Sequence, residues 1–183
     1  MPVSIVGRQD PESFDSTAFV GFGGRAIAYS PALGIAASTT AIGQTLRFSI
    51  SSFEDATNVK FCIYNATTRA LLEEIIVPST IGTGLHEIAM AGTTMFQAGE
   101  FYKICVYNNA PSEQIVLNVD SSGRQIGFVT GDFNNPTDPI QSEPFFELLP
   151  GREWFWEVLG DSNQPDDNDI LRDIVNDLIN EII

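Results

Sequence analysis

Val59-Lys60-Phe61-Cys62-Ile63-Tyr64-Asn65 and Tyr102-Lys103-Ile104-Cys105-Val106-Tyr107-Asn108 repeat one pattern: apolar, Lys, apolar, Cys, apolar, Tyr, Asn. Strict alternation is how a strand with two unlike faces reads, because successive side chains point to opposite sides. Phe61 and Ile63, with Ile104 and Val106, make a greasy face; Lys60, Cys62 and Tyr64, with Lys103, Cys105 and Tyr107, make a mixed one. Both runs stop at Asn before turn-like Ala-Thr-Thr or Asn-Ala-Pro. The two runs are expected to be strands of one antiparallel β-sandwich.

Outward from this pair, strand-like runs rich in Val, Ile, Phe, Tyr and Thr recur. They are expected near 18–22, 25–30, 45–51, 71–77, 85–90, 114–119, 125–130 and 153–159. Breakers separate them, among them Gly23-Gly24, Ser30-Pro31, Pro78-Ser79-Thr80, Gly82-Thr83-Gly84 and Ser121-Ser122-Gly123. Many short strands with frequent turns read as a sandwich or barrel. Residues 131–150 carry Asn134-Asn135-Pro136, Asp138-Pro139 and Glu143-Pro144 and read as a long connection, a place where function often sits.

After Gly160 the composition changes. Residues 161–183 hold seven acids against one base, a net of −6 within the chain's −15. Asp161 to Pro165 reads as a linker. A helix capped by Asp167 or Asn168 then runs to Ile183, with Leu171, Ile174, Val175, Leu178, Ile179 and Ile182 as one apolar stripe. So short a helix needs a partner surface, either its own domain or copies of itself. The spacing of Leu171, Val175, Leu178 and Ile182 suits a seam between copies, so Leu171, Ile174, Val175, Leu178 and Ile182 are the candidate oligomer interface. The organisation expected is a β-sandwich domain over residues 1–160, then an acidic linker and amphipathic C-terminal α-helix over 161–183.

Composition narrows the function classes. At 183 residues with 43% hydrophobic and 18% charged, the chain is an ordinary folded protein with a sizeable core. A net charge of −15 opposes nucleic-acid binding and basic docking on anionic lipid, both of which need clustered Lys and Arg. No signal peptide is expected from the opening residues, and 17–37 is too interrupted by Arg25, Pro31 and Gly to span a membrane. Cys62 and Cys105 are the only cysteines. Paired strands would hold their Cα atoms at roughly 4.5–5.5 Å, within reach of a disulfide. Synthesis in a reducing compartment favours two free, packed thiols instead.

Leu46-Arg47-Phe48-Ser49-Ile50, then Val59–Asn65, Gly82-Thr83-Gly84-Leu85-His86-Glu87-Ile88 and Ala98-Gly99-Glu100-Phe101-Tyr102-Lys103-Ile104-Cys105-Val106-Tyr107 form an ordered series. It resembles the jelly-roll β-sandwich modules of phage tail and head fibres and of some carbohydrate-binding modules, over roughly 45–119. Leu85 stands where an aromatic is common in those modules. The resemblance implies a jelly-roll-like antiparallel sandwich, a place in a virion after synthesis in the host cytoplasm, and contact with other virion proteins or a cell-surface glycan.

Candidate sites are weighed against plainer roles. Trp154 and Trp156 share one face of a strand and could stack on sugar rings, against the favoured alternative of packing on the C-terminal helix or a subunit interface; Tyr64 and Tyr107 could present hydroxyls to a ligand, with a covered second face of equal weight. Asp132, Asn134 and Asp138 offer oxygens that suit Ca²⁺, against the plainer reading of a solvated turn. His86 and Glu87 are adjacent in a strand, so they face opposite sides and cannot act together. No nucleophile elbow, His-Glu-x-x-His or phosphate loop is present, and no catalytic residue or cofactor is nominated. The reading is a non-enzymatic virion-surface or fibre protein, a homo-oligomer such as a trimer. It would serve assembly or host attachment, with weak multivalent glycan binding as one route. A purely structural decoration or cement protein is the alternative, and a glycan-active hydrolase a third.

Overall fold

The computed structural model describes residues 2–7, 16–20, 27–54, 58–108, 114–120, 126–128, 133–136, 138–140, 146–149 and 153–161. They form fourteen strands: β1 (Pro2–Gly7), β2 (Ser16–Val20), β3 (Ile27–Ala36), β4 (Ala41–Glu54), β5 (Asn58–Asn65), β6 (Leu71–Pro78), β7 (Gly84–Ala89), β8 (Met95–Phe96), β9 (Phe101–Asn108), β10 (Gln114–Asp120), β11 (Ile126–Phe128), β12 (Phe146–Leu149), β13 (Glu153–Trp154) and β14 (Trp156–Asp161). The first sheet runs β1-β14-β4-β10-β13, with β2 on β10 and with β7 and β8 on β4; the second runs β12-β11-β3-β9-β5-β6. All pairings are antiparallel, and the two sheets form a β-sandwich.

The core is the alternation of the twin segments made spatial. Val59, Phe61 and Ile63 of β5 and Tyr102, Ile104 and Val106 of β9 point inward, where they meet Leu46, Phe48 and Ile50 of β4 and Trp154, Trp156 and Val158 from the first sheet. Phe48 packs on Phe61 at 4.6 Å between ring centroids, Phe61 lies 6.4 Å from Trp154, and Phe96 lies 4.8 Å from Tyr102. These tilted geometries suit aromatic quadrupoles better than face-to-face stacking.

Three strands, β1, β8 and β12, were not anticipated, and β3 and β4 are longer than expected. β3 continues through Ser30-Pro31 because its register with β9 slips between Ser30 and Ile35, so the missing proline N–H costs no regular ladder bond. Gly34 follows at φ 85°, where an added Cβ would come within 2.9 Å of the Ala66 side chain and the Tyr102 carbonyl. β1 owes its invisibility to its length and to its partner: it pairs with β14, more than 150 residues along the chain. Asp161, expected in a linker, is the last residue of β14. The predicted C-terminal helix, with Leu171, Ile174, Val175, Leu178 and Ile182, lies outside the described residues, as does Asp132.

Candidate functional site

The twin segments pair with each other, and they do so about their cysteines. Cys62 of β5 stands directly opposite Cys105 of β9, Tyr64 opposite Lys103 and Lys60 opposite Tyr107. The Lys-x-Cys-x-Tyr motif is thereby laid against its own copy with local twofold pseudo-symmetry. The two tyrosines lie at opposite ends of this ladder, yet their hydroxyls meet 3.0 Å apart in a buried hydrogen bond. Both side chains must therefore lean inward across the Cys62–Cys105 row, which they roof.

A strap from the long connection closes this face. Ile140 is buried against Cys62, Tyr64, Cys105 and Tyr107, with Phe133 and Leu71 packed alongside. Lys60 reaches under it, 2.7 Å from Glu74 and 5.0 Å from the centre of the Phe133 ring. The strap is pinned to the β5–β6 hairpin twice: Leu71 N–H donates to Asp138 Oδ1 at 3.0 Å, and Ile140 N–H donates to the Arg69 carbonyl at 2.9 Å. The hairpin is built as its sequence suggests. Asn65 Oδ1 accepts from Thr67 N–H and Thr68 N–H, an Asx turn, and Arg69 takes the left-handed φ of 67°.

Sealing this face sets its chemistry. Burial, reinforced by the nearby Glu74 carboxylate, pushes the Cys62 thiol far above its ordinary range, with Lys60 and the Tyr64 hydroxyl pulling weakly the other way. Burial does the same to Cys105 and to the Tyr64 phenol, and it lowers the Lys103 ammonium. Both cysteines are free and buried, as the compartment argument favoured. They are protonated, shielded thiols rather than reactive thiolates.

A second polar group lies on the outer face of the first sheet. Arg47 stands opposite Glu157 on one neighbour and Glu87 on the other. Its Nη1 donates to the buried Glu157 Oε2 at 2.8 Å, and its guanidinium sits 5.9 Å from the Phe155 ring centre. Nε lies 3.0 Å from Glu87 Oε1 but is not aimed at it, so that contact is an ion pair without a hydrogen bond. Glu73, on the core-facing side of β6, accepts from Ala91 N–H at 2.6 Å through Oε1, while Oε2 has no partner among the described residues.

The structure places the ligand-binding residues nominated from sequence in the interior of the described chain. Trp154 and Trp156 are 1% and 0% exposed, and Tyr64 and Tyr107 are 0% and 1% exposed, so none of them offers a face or hydroxyl to a sugar. The indoles fill the sandwich core itself, and the phenols bond to each other on a covered second face beneath the strap. Of the oxygen trio, Asp132 lies outside the described residues. Asn134 is exposed, and one Asp138 oxygen is taken by Leu71 N–H. Among the described residues no cluster of three or more His, Cys, Asp or Glu could hold a metal ion, and no helix is long and apolar enough to cross a membrane. His86 bonds to the Gly82 carbonyl at 3.1 Å and packs near Phe48, whereas Glu87 faces Arg47 on the other side of the sheet, as strand alternation required.

What the described surface offers instead is apolar. Ile42 and Met95, 37% and 42% exposed, are directly paired across β4 and β8, and Leu85, Ile76 and Phe101 are about half exposed. Sequence reasoning missed these positions because an apolar residue in a strand reads as core by default. Strand parity would have put Ile42 in the core, since it shares the even positions of the buried Leu46 and Phe48; the register shift of β4 against β14 between Gly43 and Thr45 turns it outward.

The class these features define is an antiparallel two-sheet β-sandwich with a strapped outer face. No protein-family model matches the chain, and no curated protein matches it.

Proposed function

We propose that this chain is a non-enzymatic structural subunit of a virion surface or fibre, serving assembly in preference to sugar recognition. The observation that carries the reading is the contrast between its aromatics and its aliphatics. The two tryptophans are spent on the core, while large aliphatic side chains, led by the Ile42–Met95 pair, stand in solvent. Exposed apolar side chains mark protein contacts more readily than glycan contacts, which want flat aromatic faces. Strands that cross repeatedly between the two sheets, from β3 to β4 to β5 and from β8 to β9 to β10, support a jelly-roll-like variant of the sandwich. Burial of Trp154 and Trp156 moves the weight from attachment by glycan toward the decoration or cement role.

Light scattering of the full chain over a hundredfold concentration range tests this. The expected result is a mass that is a small multiple of the chain's and falls toward the monomer in Ile42→Asp/Met95→Asp. A monomer at every concentration, joined by failure to bind any purified tailed-phage particle, ends the assembly reading. Binding on a glycan array would restore the attachment role through residues other than the tryptophans.

A further inference from the structure

Cys62 and Cys105 sit directly opposite each other on adjacent antiparallel strands, both fully buried and both free. Whichever of the two antiparallel pair types they occupy, such a row holds Cα atoms about 4.5–5.5 Å apart, within the span a disulfide accepts. Nothing in the core needs thiols here, because this row faces away from it. The same row is the one position roofed by the Tyr64–Tyr107 hydroxyl pair and capped by Ile140 of the strap. Two hydrogen bonds, one to the Asp138 side chain and one from the Ile140 backbone, join the strap to the β5–β6 hairpin, beside the Lys60–Phe133 contact and the packing of Ile140. Asp138, which accepts the first of them, is itself exposed.

We propose that Cys62 and Cys105 are a latent staple: a dithiol kept silent by the strap over 133–140, which a hydroperoxide closes into a cross-strand disulfide when the strap lifts. The step balances as follows. Either thiol can start the reaction; with Cys62 first, it gives its proton to solvent. The thiolate attacks a peroxide oxygen, the O–O bond breaks, and the alcohol or water leaves with a sulfenic acid formed on the cysteine. Cys105 loses its proton and attacks that sulfur. The S–S bond forms, the S–O bond breaks, and hydroxide departs as water. Two thiols are oxidised by two electrons, and one hydroperoxide is reduced to an alcohol and water. The bridge would join the centres of β5 and β9 and close a loop of about forty residues, constraining the unfolded chain strongly. Nothing in this inference depends on the virion reading.

The test uses the full-length reduced protein treated with hydrogen peroxide near pH 8. Free thiols are counted after quenching and denaturing alkylation, and peptides are mapped without reduction. The expected product carries no chain-to-chain disulfide, has lost two hydrogen atoms, joins the peptides containing Cys62 and Cys105, and melts roughly 5–15 °C higher. Asp138→Ala removes one strap tie and should speed closure several-fold to about tenfold, since 1.4 kcal/mol is a tenfold change in the open population. Asp138→Asn retains the accepting oxygen and should close near the parent rate. Ile140→Ala gives a second route to a looser strap that leaves the sandwich core untouched. Sulfinic or sulfonic products without a bridge, chain-to-chain disulfides, or closure no faster in either loosened variant than in the parent would each overturn the proposal. So would closure that only keeps pace with global unfolding measured by circular dichroism.

Discussion

Raising the pH should unfold this protein by way of its sealed thiols. Burial lifts the pKa of Cys62 and Cys105 above the ordinary thiol value of 9.0 and that of Tyr64 above the ordinary phenol value of 10.0. A group whose folded pKa is raised contributes stability that is whole below its unfolded pKa and drains away as pH climbs toward the folded one. Above pH 9 the unfolded chain releases both thiol protons while the folded chain keeps them. A group that holds its proton in the fold then removes about 1.4 kcal/mol of stability per pH unit. Cys62 alone costs about 2.7 kcal/mol by pH 11, Cys105 adds to the loss in the same direction, and Tyr64 adds about 1.4 kcal/mol over the last unit. Lys103 works the other way. Its folded pKa is lowered, so it holds back stability at neutral pH and returns it as pH rises toward the ordinary amine value of 10.5, where the return stops. Against a total stability of about 5–15 kcal/mol, the combined loss brings the fold toward its limit by pH 11. Urea midpoints at pH 8, 9, 10 and 11, taken with reductant present, measure the slope directly. Cys62→Ala/Cys105→Ala should start lower at pH 8 through lost packing but decline less steeply above pH 9, by about 1.4 kcal/mol per pH unit for Cys62 and by a further amount for Cys105. The oxidised, bridged protein should be flattened in the same way. A double variant that loses stability with pH as steeply as its parent would refute the sealed-thiol account.

Three further perturbations probe separate parts of the fold. Tyr64→Phe or Tyr107→Phe should each cost about 1–2 kcal/mol, because the shared hydroxyl bond is buried, and the double variant should cost less than the sum; chemical denaturation of all four proteins gives the coupling. Arg47→Ala should cost about 3–5 kcal/mol by stranding the buried Glu157 carboxylate, whereas Arg47→Met/Glu157→Leu should recover most of it, read as melting temperature. Gly160→Ala should destabilise by about 1–3 kcal/mol or more, since an added methyl group would collide with the Ile5 side chain and the Ile42 carbonyl where β1 crosses β14.

Period-two alternation carried most of the architecture into view. It marked β5 and β9 as strands of one sandwich and gave Phe61, Ile63, Ile104 and Val106 a common apolar face, which lies in the core; their direct pairing is seen only in three dimensions. Its failures are instructive. β1 and β12 are short strands whose neighbours are remote in sequence or lie beyond a long connection, so no local pattern announces them. β3 runs through a proline because a register slip absorbs the lost donor, a tertiary accommodation that local turn chemistry cannot show. Trp154 and Trp156 read as a sugar platform or, preferably, as packing residues at the C-terminal helix or an interface, since strand parity says that they share a face but not what covers it.

The mixed face of the twin segments exposes the deeper limit. Lysine, cysteine and tyrosine in alternation describe a surface that could meet water, a ligand or another piece of chain, and only the third dimension chooses. Here the choice is made by Asp138 and Ile140, more than thirty residues beyond the second motif and unremarkable in their own neighbourhood. Once the strap is seated, the lysine ammoniums, the thiols and the phenols lose solvent together, and their chemistry changes as a group: Lys60 turns to Glu74 and Phe133, the tyrosines bond to each other, and the thiols are held protonated. An internal repeat laid antiparallel on itself brings like residues into register, so Cys meets Cys without any long-range pairing rule. The same arithmetic places Lys opposite Tyr on both flanks, which keeps like charges apart on a face that must be covered. The cysteine row is therefore a consequence of the repeat, and the strap is what converts that consequence from an exposed, oxidisable pair into a controlled one.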